Sequence, residues 1–125
     1  MVASAILNAW YSGDVALLRG ALDDNVTFSS PYQDYEGSAR AAHLLALVGE
    51  TLKEVRRCRS WGNDEHSITK FTASVDDLPL EGVILEERTA ELLTQVTLFI
   101  RPFESIKVAM KQMRGRLAEN PPPVQ

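Results

Sequence analysis

Apolar and polar positions alternate with two different periods along this chain, and the change of period divides it. In the first fifty residues apolar side chains recur at three- and four-residue spacing. Val2, Ala5, Ile6, Ala9 and Trp10 form one stripe, which predicts a helix over 2–12. Gly13 ends it and Asp14 caps a second short helix over 15–22, carrying Val15, Leu17, Leu18, Ala21 and Leu22. Asp23-Asp24-Asn25 predicts a turn, and Val26–Ser30 a short strand stopped by Pro31. Residues 31–37, bounded by Pro31 and Gly37, read as a loop holding two tyrosines and two carboxylates. Ser38 caps a third helix over 39–52, with Ala41, Leu44, Leu45, Val48 and Leu52 as its buried stripe.

From about Glu54 the period falls to two. Residues 53–61 and 66–75 read as strands, separated by a turn at Gly62-Asn63-Asp64 and followed by another at Asp76-Asp77. Between Leu80 and Pro102 lie two more, joined by a short turn. On the first, Leu80, Gly82, Ile84 and Glu86 share one face, and Glu81, Val83, Leu85 and Glu87 the other. On the second, Val96, Leu98 and Ile100 oppose Gln95, Thr97, Phe99 and Arg101. Both faces are largely apolar, so the sheet is expected to be covered on both sides. A last helix over 103–118 sets Phe103, Ile106, Met110, Met113 and Leu117 along one side, and the two methionines read as core. Consecutive strands with short turns, and helices grouped early, predict an α+β domain with an antiparallel sheet over 1–118, followed by a mobile Pro-rich tail at 119–125.

Composition narrows the function classes. The 125 residues suit one domain, and an apolar fraction of 45% suits a globular one. No apolar run approaches the ~20 residues of a membrane span. The start of the chain lacks the basic n-region of a signal peptide, which makes the cytoplasm the expected location. Cys58 is the lone cysteine and reads as a half-buried strand residue, leaving no internal disulfide and no cysteine-based zinc site. A net charge of −4 argues against a nucleic-acid partner, and the basic cluster Lys53, Arg56, Arg57 and Arg59 reads as a charge-guarded edge strand. His43 and His66 fall on different elements without a carboxylate at ligand spacing, so neither metal nor cofactor is expected.

Several residues together carry a resemblance. Trp10-Tyr11 with Gly13-Asp14, the run VTFSSP followed by Tyr35-x-Gly37, Glu81-Gly82 opening a strand, and FIRP before a helix resemble the nuclear transport factor 2-like superfamily, most of all its SnoaL-like polyketide cyclase branch, over nearly all of residues 2–118. The resemblance implies a strongly curved sheet wrapped round helices into a cone (cystatin-like), with a deep apolar pocket and a homodimer formed through the sheet. It also implies acid–base chemistry. Ketosteroid isomerases place an Asp before the Pro after the first strand, where this chain has Ser30, and a second acid where it has Ile84. Cyclases and epoxide hydrolases of the family use late-strand carboxylates, where it has Arg101. A hydroxyl is too weakly acidic to act as an unaided base, and isoleucine moves no proton.

The candidate catalytic groups that remain are Tyr11, which the resemblance would turn toward an oxyanion, Asp34 on the loop, Glu86 near the mouth of the cone, and Arg101 paired with an acid or a ligand anion. Each also has a purely structural reading, as a rim hydroxyl, a solvated carboxylate, a strand-end glutamate or an ion pair. Trp10, Phe28, Ser30, Tyr32, Tyr35, Trp61, Phe71, Ile84 and Phe99 are the candidate pocket lining. Three functions stay open: a binder of a small apolar or amphipathic molecule; an isomerase, cyclase or epoxide hydrolase on a steroid- or polyketide-like substrate; and an interaction module with a filled cone.

Overall fold

A computed structural model describes residues 4–123; Val2 of the first predicted helix and the last two residues of the predicted mobile tail lie outside the described residues. Helix α1 spans Ala5–Ser12. The Ser4 hydroxyl accepts from Leu7 N, and Gly13, at φ 69°, closes the helix by donating to Ala9 O. Helix α2, Val15–Ala21, starts where the Asp14 carboxylate accepts from Leu17 N at 3.1 Å.

Strand β1 spans Leu22–Ser29, so Asp23-Asp24-Asn25 belongs to a strand and not to a separate turn. The turn chemistry is present all the same. Asn25 N donates to Asp23 Oδ2 at 2.9 Å, and the pairing jumps from Leu22–Leu93 to Thr27–Gln95, so the segment bulges out of the sheet. The predicted loop holds a three-residue strand, β2 (Asp34–Glu36), paired antiparallel to β1. Helix α3 spans Ser38–Thr51. Its N-cap is Gly37, at φ 93°, and not Ser38, which is the first helical residue and is buried.

The remaining strands form a meander: β3 (Lys53–Gly62), β4 (His66–Val75), β5 (Leu78–Thr89) and β6 (Leu92–Arg101). Both tight turns, Asp76-Asp77 and Ala90-Glu91, have positive φ at each central residue, the turn shape that matches the twist of a hairpin. The sheet order is β2-β1-β6-β5-β4-β3. All pairings are antiparallel except that of β1 with β6, which is parallel, so the sheet is mixed and not the antiparallel one expected. Helix α4 spans Phe103–Glu119 and packs against α3 and the strands β4, β5 and β6.

The core lies between the helices and one sheet face, with Ile6, Leu7, Phe28, Leu45, Phe71 and Ile84 among its largest buried side chains. Two glycines permit close approaches. A methyl on Gly82 would sit 2.4 Å from the Phe71 ring, and one on Gly49 would sit 2.5 Å from Trp10. Trp10 is held there by donating from Nε1 to Leu45 O at 2.8 Å. Within the chain the helices cover one face of the sheet. The opposite face carries Val83 and Leu85, half-buried, beside Trp61, Ile68 and Phe99, all exposed. No helix among the described residues is long and apolar enough to cross a membrane.

Candidate functional site

A cavity of about 160 Å³ opens between the β1–β6 pair and the helices α3 and α4. The inward period of the strands supplies Phe28 from β1 and Leu98 and Ile100 from β6. Leu44, Val48 and Thr51 line it from α3. Helix α4 supplies Ile106, Ala109, Met110, Met113 and Leu117, all on the apolar stripe or beside it. This stripe reaches the cavity without filling it. Phe103, at the helix start, is instead 70% exposed with Lys107 over its ring, and Ser105 and Ala109 are the residues of α4 that are buried.

The polar groups of the lining sit mostly to one side. Thr51 is satisfied inside its own helix, donating to Leu47 O at 2.8 Å. Ser30, Pro31, Tyr32, Tyr35 and Arg114 form the rim, where Pro31, Tyr32 and Arg114 are exposed. The Ser30 hydroxyl shapes the loop: it donates to Gln33 O and accepts from the backbone N–H groups of Tyr32 and Gln33. Tyr35 stacks on Phe28 with ring centroids 6.0 Å apart. Burial pushes its hydroxyl above the ordinary tyrosine value, with Ser30 acting in the opposite direction. No Asp, Glu or His lines this cavity among the described residues.

The four candidate catalytic groups do not converge. Glu86 is 1% exposed, not at a strand-end mouth, and its carboxylate anchors the start of α1. It accepts from Ser4 Oγ at 2.6 Å, Ala5 N at 3.2 Å and Ile6 N at 3.1 Å, and pairs with Arg88 Nη2 at 3.0 Å. The buried charge is thus compensated by a helix N-terminus and a guanidinium. Glu86 faces Val96 across the sheet, whereas the cavity starts at the next inward residue, Leu98. Tyr11 is 51% exposed and turned to the sheet edge, where its hydroxyl accepts from Arg57 N at 3.0 Å. Asp34 lies exposed on β2. The Arg101 side chain is 72% exposed and pairs with Glu81, its cross-strand neighbour on the outer face, at 3.0 Å; neither Glu86 nor Asp34 is its partner.

Of the candidate lining, Phe28, Ser30, Tyr32 and Tyr35 meet at the cavity. Phe71 and Ile84 are core, and Trp10 packs edge-on to Phe71 at 5.8 Å. Trp61 and Phe99 point to the uncovered sheet face; Trp61 lies under Arg59 at 5.3 Å. The α4 residues and Arg114 were not expected at the site. The sequence signal available for them was two flexible methionines on a helical stripe, a composition that suits an adaptable binding wall as well as a core. Cys58 is exposed on β3, an edge strand, and His43 is half-buried, donating from Nε2 to Asn120 O at 2.7 Å. No cluster of three His, Cys, Asp or Glu residues able to hold a metal occurs among the described residues.

No protein-family model matches the sequence, and no curated protein matches it. Solved structures do. An uncharacterised bacterial protein with a cystatin-like fold from Silicibacter pomeroyi is 24% identical, with a TM-score of 0.87 over 93% of this chain and 84% of that one. A steroid delta-isomerase from Pseudomonas aeruginosa is 19% identical, with a TM-score of 0.84 over 90% and 86%. A protein with a ketosteroid isomerase-like fold from Catenulispora acidiphila, in complex with trimethylamine, is 11% identical, with a TM-score of 0.64 over 84% and 91%. At these identities the likeness is one of architecture: the chain has the cystatin-like, nuclear transport factor 2-like α+β fold, shared with ketosteroid isomerase-like proteins.

Proposed function

We propose that this chain is a SnoaL-like binder of a small apolar or amphipathic molecule, held in the cavity between β6 and α4, and that it acts without the carboxylates used by catalytic members of the fold. The observation that carries this reading is an apolar cavity whose lining includes no Asp, Glu or His among the described residues. Small-molecule sites are mostly apolar with a few placed polar groups, and this lining matches that description. Acid–base catalysis needs a proton-transferring group within hydrogen-bond reach of the substrate. The buried acid of the molecule, Glu86, is occupied elsewhere. A cone filled by its own side chains, as an interaction module requires, is disfavoured by the cavity itself.

Size selects the ligand. A cavity of about 160 Å³ compares with the roughly 150 Å³ site that accepts benzene, and falls below the roughly 300 Å³ at which drug-sized pockets begin. A single ring or a short alkyl chain fits without rearrangement, and a steroid does not. Titration of the full chain with benzyl alcohol, followed by the methyl resonances of Met110 and Met113, tests this. Both signals are expected to shift and saturate; an unchanged spectrum would overturn the reading.

The same proposal includes a homodimer through the sheet. Support comes from the outer face, where Trp61, Ile68 and Leu85 lie on one cross-strand row and Val83 with Phe99 on the next. Exposed apolar side chains gathered on one surface mark interaction sites. Light scattering is expected to give a dimer mass, and Phe99→Glu a monomer.

A further inference from the structure

The cavity is asymmetric in charge as well as in polarity. Its inner wall of Phe28, Leu44, Leu52 and Leu98 is buried and apolar. Its solvent side holds one formal charge, the guanidinium of Arg114 on α4. On the same helix, Arg116 reaches Glu50 at 3.4 Å, whereas Arg114 has no hydrogen-bond or ion-pair partner among the described residues. No carboxylate of the lining offsets it. Arg114 both lines the apolar cavity and is exposed to solvent, and an arginine can pack its stem on an apolar wall while its charged head stays in water.

The neighbouring rim groups can be sorted by what they have left to give. Ser30 already donates its hydroxyl hydrogen to Gln33 O. The Tyr35 phenol is a different case: half-buried against Phe28, with its hydroxyl pushed above the ordinary tyrosine value by burial, it stays protonated at neutral pH, with the Ser30 hydroxyl as its hydrogen-bonding neighbour. A cation and a neutral phenol therefore both belong to the lining of an apolar cavity that takes one ring or a short chain.

We propose that the ligand class is a small monocarboxylate, with its ring or alkyl part between β6 and α4, its carboxylate on Arg114, and the Tyr35 phenol as a second donor. This rests on the binding reading above and adds the head group and the residue that selects it. Hydrogen bonds to a charged group are stronger than neutral ones, and solvent exposure of Arg114 moderates the gain, so a carboxylate should bind about three- to tenfold more tightly than the alcohol of the same shape.

The experiment compares benzoate with benzyl alcohol, and hexanoate with hexan-1-ol and hexylamine, on the full chain, read at the Met110 and Met113 methyls. The expected order is carboxylate, then alcohol, then amine, with the carboxylate preference shrinking as salt is raised. Arg114→Gln is expected to abolish the preference, binding benzoate and benzyl alcohol equally, and this retained binding also shows that the variant folds. Arg116→Gln is expected to keep the preference. Equal binding of acid and alcohol by the unaltered chain, or a preference that survives Arg114→Gln, would overturn this inference while the apolar binder stands. If none of the five compounds moves either methyl, the binding reading fails and the carboxylate class fails with it.

Discussion

The two ends of the cone are built on opposite plans. At one end, polar groups are buried in number: Ser4, Ser67, Thr69 and Glu86, whose carboxylate is held by the N-cap Ser4, by two N–H groups of the first turn of α1 and by Arg88. At the other end the walls are apolar apart from Thr51, which is satisfied within its own helix, the space between them is empty of protein, and the remaining polar groups stand at the rim. A buried acid in a fold shared with isomerases invites a catalytic reading. Here its lone pairs are committed to capping a helix, and the room for a ligand lies elsewhere. Free coordination and free volume mark a site better than buried charge does.

The largest test acts on the polar end. Glu86→Ala leaves Arg88 without its acid and exposes the start of α1 to the interior, and removing one partner of a buried pair costs about 3–5 kcal/mol. Urea denaturation is expected to show that loss, with benzyl alcohol still binding the folded fraction. Normal stability with lost binding would reverse the roles assigned to the two ends.

Adding volume should then separate the filled core from the open cavity by sign. A methyl on Gly82 would lie 2.4 Å from Phe71 Cζ and 2.9 Å from Phe99 O, so Gly82→Ala is expected to cost about 1–3 kcal/mol by overpacking. Ala109 lines the open cavity, and Ala109→Met has space to occupy. It is expected to raise stability by about 0.5–2 kcal/mol and to abolish ligand-induced shifts at Met113. A destabilised Ala109→Met protein that still binds would mean that the side chain turns away from the cavity.

How much of this could be read in advance depends on the range of the interaction. Strand parity is local, so the inward set Leu80, Gly82, Ile84 and Glu86 was legible, as was the grouping of Arg101 with Phe99. Which of two apolar faces turns inward is not a local property: Phe99 and Leu98 are equally apolar, yet one is 55% exposed and the other buried. The face of Glu86 follows from strand parity, but its partners Ser4 and Ile6 do not, because they lie some eighty residues away in the chain. The bulge at Asp23-Asp24-Asn25 and the three residues of β2 are too short to carry a period. The stripe of α4 was visible, but the gap it leaves above Leu98 depends on how three elements meet, which periodicity does not encode.

The smallest expected effect belongs to Arg101, where the sequence invited the strongest functional reading and the structure shows a surface pair. Arg101 and Glu81 face each other across β5 and β6 on the outer side of the sheet, 3.0 Å apart, with side chains 72% and 38% exposed. Water screens such a pair, and the entropy lost in holding the arginine offsets much of the attraction, leaving about 0.2–1 kcal/mol. Arg101→Ala should fall at the lower end of that range in moderate salt and lose even this as ionic strength rises. Ligand affinity at Met110 and Met113 should not move, since the residue turns away from the cavity that its neighbour Ile100 lines. A change in affinity with unchanged stability would show that the outer face and the cavity are coupled, and that the separation between a structural sheet and a binding end is incomplete.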